Sequence, residues 1–487
     1  MTAPPPDPFR AGPAPAPPPG CPAHAHAGSG PAGPEPARLY GPEAGTDPMG
    51  LYERLRAEHG PVAPVLLDGD LPAWLVLGYR ENLEVARTPT RFSRDSRRWR
   101  DWKEGRVPED SPILPIVRWE PVCTFADGEE HERLRRALTE SMERFDRRGI
   151  RRRVTRLANG LIDDFAARGR AELMGEYAQQ LPMLVMTSLF GMPEADGPRL
   201  VRASLELIMG SREALEGDRY ILETLRLLVE RKRAAPGADL ASWLMEHPAG
   251  LTDEEVVQHL RLLLLSAHET TTNLIANTLR MVLTDRRFRA SLAGVRMTVP
   301  DAVEQVLWDE PPLMICPARW ATGDTEIAGQ PIRAGDMLLL GLAAGNVDPA
   351  VRPDRGTPMH GNRSHLAFSR GPHECPGQDI GRAVTDTAVD TLLMRLPDVA
   401  PEGGEEEPAR ASSWVSRRLV ELPVAFAARP PTLAGGLRLP QPRPRPAAAT
   451  VPADLGEDTA HGRVLPESGP PPRPTGWWSR IRAPRGK

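Results

Sequence analysis

Apolar residues recur at three- to four-residue spacing through long stretches of this chain and alternate only in short ones, the mark of a mainly helical protein with small sheets. The helical spacing runs through Glu129–Phe145, Arg151–Arg168, Arg199–Met209, Ile221–Ala234 and Glu254–Thr284. Thr252 stands three residues before Glu255, a capping box that starts the last of these. Another helical run is expected from Gln378 through Leu392, behind a loop rich in Gly and Pro. Strand signals are short, at Pro61–Leu67, Ala73–Leu77, Glu326–Ile332 and Met337–Leu340, with Gly or Pro between them. One large domain over 39–428 is predicted. The segments 1–38 and 429–487 are dominated by Pro, Ala and Gly and are expected to be disordered tails.

Composition narrows the function classes. The net charge of −4 argues against a nucleic-acid binder or a protein of anionic membranes. No apolar stretch reaches the ~20 residues of a membrane span, and the N-terminus lacks the pattern of a signal peptide. Four cysteines, at 21, 123, 316 and 375, form neither a disulfide framework nor a CxxC pair, which fits a reducing cytoplasm. Cys21, His24 and His26 offer at most a loose metal site in the first tail. Trp477-Trp478-Ser479-Arg480-Ile481-Arg482 near the other end has the amphipathic character of a contact to a partner or a membrane surface, or is incidental tail. No strand–GxGxxG–helix unit points to a built-in nicotinamide or flavin domain.

Two segments carry candidate chemistry. In Phe368-Ser369-Arg370-Gly371-Pro372-His373-Glu374-Cys375-Pro376-Gly377 a single cysteine precedes a helix N-terminus, where the macrodipole and backbone N–H groups favour thiolate over thiol. A thiolate is a strong, soft ligand for iron. In the long helix, Ser266-Ala267-His268-Glu269-Thr270-Thr271-Thr272 puts an acid and three β-branched hydroxyl residues into an apolar run, a local conflict of the kind that marks functional sites.

The first segment resembles the haem signature of the cytochromes P-450, FxxGx(R/H)xCxG, with Phe368, Gly371, His373, Cys375 and Gly377 at every fixed position. The second resembles that family's oxygen-activation motif, with Ala267 where glycine is usual. The resemblance implies the cytochrome P-450 fold, haem b (iron protoporphyrin IX) as cofactor and Cys375 as the iron ligand. It implies that Phe368 shields the sulfur, that His373 reaches a haem propionate, and that Glu269 and Thr270 handle protons and dioxygen. His131 and Arg135 match the family's HxxxR, and Arg319 the arginine before ATxDxE; these three are the further propionate anchors that it implies. A monooxygenase acting on a small organic substrate follows, with ferredoxin and ferredoxin reductase as electron donors.

The sequence also departs from the family. In the helix that normally carries ExxR, the register puts Gln305 and Trp308 at the Glu and Arg positions, and the downstream third charge is not recognisable between Arg355 and Arg363. The ion pair is therefore expected to be absent and the core rebuilt around its joint loss. The chain is similar in this to a streptomycete subgroup with EQxxW, some of whose members are associated with small-GTPase signalling operons. Two alternatives to the monooxygenase stand beside it: a haem-binding sensor without turnover, and a peroxygenase, a class that usually lacks the acid–Thr pair.

Overall fold

The computed structural model describes residues 36–432, apart from 209–213, 286–297, 360 and 404–407. The readings of Cys21, His24 and His26, and of Trp477–Arg482, lie outside the described residues. The principal helices are α1 (Tyr79–Arg87), α2 (Gly128–Glu143), α3 (Arg147–Ala166), α4 (Gln180–Phe190), α5 (Gly197–Ile208), α6 (Ala214–Ala234), α7 (Asp253–Thr284), α8 (Val299–Asp309) and α9 (Gln378–Arg395). Each predicted helix is present. α3 starts four residues earlier than its apolar spacing, because Asp146 caps the N–H groups of Arg148 and Gly149 at 3.1 and 2.8 Å. The capping box forms as expected: Thr252 Oγ1 accepts from Glu255 N at 3.2 Å, and the Glu255 carboxylate accepts from Thr252 N at 2.7 Å.

The strands are β1 (Ala37–Arg38), β2 (Val62–Leu67), β3 (Leu71–Val76), β4 (Phe92–Ser93), β5 (Arg170–Glu172), β6 (Ile315–Ala321), β7 (Thr325–Ile327), β8 (Gln330–Ile332), β9 (Met337–Gly341), β10 (Ala400–Pro401), β11 (Arg410–Ser412), β12 (Arg417–Leu419) and β13 (Pro423–Ala425). The largest sheet has the order β1-β2-β3-β9-β6-β4. The segment Glu326–Ile332, which reads as one strand, is the hairpin β7–β8 turned at Ala328 and Gly329, both at positive φ. β1 lies inside the expected first tail, and residues at the start of the expected second tail bond to the domain: Arg429 N donates to Ala166 O at 2.9 Å, and Thr432 N to Asp163 Oδ1 at 3.0 Å.

Two features of this scaffold position the site. α7 is 32 residues long and packs against α4, α6, α8 and α9, so from Thr271 to Leu279 it is buried all round. The second is a break in the β6–β9 ladder between Cys316 and Arg319, with Ala318 at φ 103°. This irregularity re-aims the strand, and the Arg319 side chain turns inward and is 1% exposed.

Candidate functional site

The Cys375 loop is fixed by its backbone. Cys375 N donates to Phe368 O at 2.9 Å, and Glu374 N to Gly371 O at 3.0 Å. Gly371 lies at φ 77°, and a Cβ there would sit 2.4 Å from the carbonyl oxygen of Ala86 on α1, so no other residue fits. Gly377 caps α9; a Cβ on it would lie 4.0 Å from Cys375 Sγ and 3.4 Å from Met142 Cε. The Phe368 ring packs under the loop, with the Arg382 guanidinium 4.5 Å from its centroid.

Electrostatics at the sulfur differ from the sequence expectation. Burial pushes the Cys375 thiol above its ordinary value, and the Gly377 N–H and the Arg135 charge only partly offset this. The helix terminus alone does not make a thiolate here. A bound metal cation does, because coordination deprotonates a thiol outright.

Around this loop the fold gathers Arg and His side chains, with the acid Asp127 among them. Arg319 donates to the carbonyl of its neighbour Ala318 at 3.3 Å; burial, reinforced by the Arg94 charge, lowers its pKa to about 9, and Cys316 and Asp127 offset this only in part. Arg135 donates to Glu374 O in the cysteine loop. His131 and His373 stack with ring centroids 4.2 Å apart, and the Nε2 atom of each is buried without a hydrogen-bond partner. Burial lowers their pKa values to about 4 and about 3. Asp127 is the acid in this cluster; it stands 3.5 Å from His373 Nε2 and accepts from Ser93 and from Arg94 N. A cavity of about 440 Å³ is lined by Asp127, His131, Arg135, Pro372 and His373. The orphaned buried His131 nitrogen, a buried guanidinium only partly offset by Asp127 and Cys316, and a glycine-floored cysteine fit a flat dianionic iron porphyrin. Asp127 was missed in the sequence. The only signal was an acid before the Gly128 that begins α2.

On α8 the two positions of the expected but absent ion pair bond to backbone instead. Gln305 and Trp308 do not pair with each other's partners. Gln305 Oε1 accepts from Met359 N at 2.8 Å, and Trp308 Nε1 donates to Asn362 O at 2.7 Å. Yet α8 does carry a buried ion pair, one residue earlier. Glu304, 5% exposed, accepts from Arg382 Nε on α9 at 2.6 Å and lies 3.0 Å from His365 Nε2. Burial alone would raise its pKa, but His365 and Arg382 bring it down to about 2. A third charge joins this pair, Arg363 Nε at 3.4 Å from Glu304 Oε1, while Arg352 pairs separately with Asp309 at 2.6 Å. Glu304 and Arg382 were missed because the pair joins two helices 78 positions apart and follows no ExxR spacing. An acid between apolar neighbours on α8, and an arginine seven residues after Cys375 on a buried helix face, were the available signals.

On α7 the structure brings Ser266 and Thr270 to one face. Both hydroxyls bond back to the helix, Ser266 Oγ to Leu262 O at 2.6 Å and Thr270 Oγ1 to Ser266 O at 2.8 Å. Glu269 Oε1 accepts from Asn273 Nδ2 at 3.1 Å. The helix runs unbroken through this segment. Cys123 and Cys316 are free thiols, buried and half-buried respectively. Among the described residues no helix is long and apolar enough to cross a membrane.

Comparison with known proteins adds to this geometry. The chain is 30% identical over 403 residues to the 2-hydroxy-5-methyl-1-naphthoate 7-hydroxylase of Streptomyces carzinostaticus, covering 80% of this chain and 98% of that one. It is 32% identical over 391 residues to the vitamin D(3) 25-hydroxylase of Pseudonocardia autotrophica, covering 79% and 94%. Among solved structures, CYP154C4 from a Streptomyces species superposes with a TM-score of 0.73 at 26% identity, over 80% of this chain and 97% of that one. No protein-family model matches the chain.

Proposed function

Because the chain belongs to the cytochrome P-450 family of haem-thiolate monooxygenases, we propose that it inserts one oxygen atom of dioxygen into a small organic substrate, with electrons drawn from a ferredoxin and its reductase. The observation that carries this is the buried, glycine-floored Cys375 beside a cluster in which Arg94, Arg135 and Arg319 outnumber the acid Asp127. Haem b, when bound, supplies the reduction and cleavage of dioxygen.

The protein's own residues do the rest. Cys375 Sγ is the iron ligand, with the Gly377 N–H aimed at it to moderate its charge. Phe368 excludes water from the sulfur's flank. Arg319, Arg135, His131 and His373 hold the propionates, which relieves the buried Arg319 charge. Thr270 keeps its proton on Ser266 O and presents its oxygen as an acceptor. Glu269 stands beside it with one carboxylate oxygen held by Asn273 and the other able to take and give a proton. The relatives named above are hydroxylases of a naphthoate and of vitamin D(3); a small, largely apolar molecule is the substrate class we infer. A cytoplasmic location belongs to the same proposal.

A sensor without turnover is the weaker reading, since the relatives named above are hydroxylases and the acid–Thr pair is kept. The test is single-turnover product formation across a compound library. The wild type is expected to yield an oxygenated product, and Thr270→Ala to lose about tenfold or more of that yield while still consuming oxygen. Unchanged yield in Thr270→Ala contradicts the role of Thr270. No oxygenation and no oxygen consumption by the wild type favours the sensor.

A further inference from the structure

Beside the Glu304–Arg382 pair, α3, α8 and α9 leave a cavity of about 130 Å³ that none of the chemistry above uses. At ~30 Å³ for each water it has room for about four waters, and so for a small tetrahedral ion. Its walls are mostly charged. Arg147 and Arg151 come from α3, Glu304 from α8, Asp379, Arg382 and Asp386 from α9, and Arg363 from the loop before Phe368. Arginines outnumber acids by four to three. Arg382 is engaged by Glu304 at 2.6 Å, and Arg147 by Asp379 at 2.6 Å. Arg363 stands 3.4 Å from Glu304 with its side chain 66% exposed, so it can turn into the cavity at little cost.

Asp386 is the group that the cavity leaves unserved. It is 8% exposed, and its Oδ1 atom is buried with no hydrogen-bond partner. Burial raises its pKa to about 6; the Asp390 and Glu304 charges add to this, and Arg151 and Arg382 offset it only in part. Below that pH the carboxyl carries a proton and needs an acceptor. Above it, the orphaned oxygen needs a donor. An amine or a bare cation supplies a donor but would sit among four arginines. A bare anion suits the arginines but meets the Asp386 charge. An oxyanion that keeps one proton meets both needs: its O–H donates to the carboxylate, and its other oxygens accept from guanidinium groups.

We propose that this cavity is a binding site for inorganic hydrogen phosphate, which donates its O–H to Asp386 Oδ1 and accepts from Arg151 and Arg363. Toward acid pH the shared proton sits on Asp386 and the bond runs the other way. Arg363 turns from Glu304 to the ion, and Glu304 keeps Arg382 and His365. Sulfate has no proton to share. A phosphate monoester, with a second pKa of about 6, has lost its last O–H by pH 8. Both are therefore refused while Asp386 is charged. The Arg382 guanidinium also lies 4.5 Å from the centre of the Phe368 ring. An occupied site thus adjoins the scaffold of the Cys375 loop without touching haem or substrate.

Titration calorimetry on the haem-loaded protein at fixed ionic strength tests it, with inorganic phosphate, sulfate and methyl phosphate as probes. At pH 8 phosphate is expected to bind with a Kd of about 1 mM, and the other two at least about tenfold more weakly. At pH 5 Asp386 is protonated while Glu304, held at about 2, stays charged. Sulfate is then expected to bind within about twofold of phosphate. Arg151→Gln should weaken phosphate about tenfold at both pH values. Asp386→Asn, whose amide donates at any pH, should admit sulfate at pH 8 and so lose the discrimination. No phosphate binding at either pH overturns the proposal. Wild-type phosphate affinity in both variants means an adventitious ion elsewhere and overturns it too. Equal affinity of the wild type for sulfate and phosphate at pH 8 overturns the shared proton. The unfolding midpoint and the ferrous–carbonyl band are recorded on each variant. Arg151 is exposed, so its variant carries the test even where Asp386→Asn fails to fold.

Discussion

The Cys375 loop and the Ser266–Thr270 stretch of α7 flank the same site and are built in opposite ways. In the loop, backbone geometry dictates almost everything: Gly371 at positive φ against Ala86, Cys375 N on Phe368 O, and Gly377 under the sulfur. Its unmet needs are all of one kind, buried cations and ring nitrogens awaiting an anion and a metal. In α7 the two hydroxyls and the acid have met their needs locally. Ser266 and Thr270 bond to their own helix and Glu269 to Asn273. The first region is preorganised for a resident group; the second is a helix whose hydroxyls and acid are available to a transient one. Loss of stability and cofactor retention should therefore follow damage to the first, and loss of product should follow damage to the second.

That comparison breaks most sharply at Gly371. Gly371→Ala places a Cβ against a backbone oxygen that cannot yield, and is expected to cost more than about 3 kcal/mol, with loss of bound haem after gel filtration. Full haem retention and an unshifted unfolding midpoint would falsify the backbone account of the loop.

Next comes Glu304→Gln, which leaves Arg382 buried without its charge partner and is expected to cost about 2–3 kcal/mol in chemical denaturation. It also has a pH signature. The folded Glu304 pKa is depressed to about 2 from an ordinary value of 4.5. Its stabilisation is therefore complete above pH ~4.5 and is lost as pH falls toward ~2. The wild-type acid limb should flatten in Glu304→Gln, and identical limbs would remove Glu304 from the account. Arg319→Gln should act in two directions. It removes a buried charge that Asp127 and Cys316 offset only in part, so the haem-free protein is expected to be no less stable, while haem affinity falls about tenfold. A less stable haem-free variant would show that Arg319 has an internal partner that serves it. The smallest stability effect is expected in α7: Thr270→Ala should shift unfolding by less than about 1 kcal/mol, and a larger loss would place Thr270 in the scaffold.

How legible these regions were follows from the same contrast. The cysteine loop was readable because its chemistry is local: a glycine, a histidine, a cysteine and a glycine at fixed offsets along one short segment. The capping box at Thr252 and the long helix behind it were readable for the same reason. Glu304, Arg382 and Asp127 were not, since their meaning lies in contacts between residues 78 positions apart on α8 and α9, or between Asp127 and Arg94, 33 positions apart. The inward turn of Arg319 depends on a ladder irregularity at Ala318 that no strand propensity signals. Glu326–Ile332 was read as one strand because a hairpin turned on Ala328-Gly329 leaves the alternation on each side intact.

The central claim is that Cys375 is the thiolate ligand of haem iron, held by a loop that needs the metal to stay deprotonated. The most direct measurement is the ferrous–carbonyl absorption spectrum of the wild type and of Cys375→Ala, each reconstituted with haem b. The account predicts the long-wavelength band of a thiolate-ligated haem in the wild type and its complete absence in Cys375→Ala. A long-wavelength band that survives the substitution would contradict it.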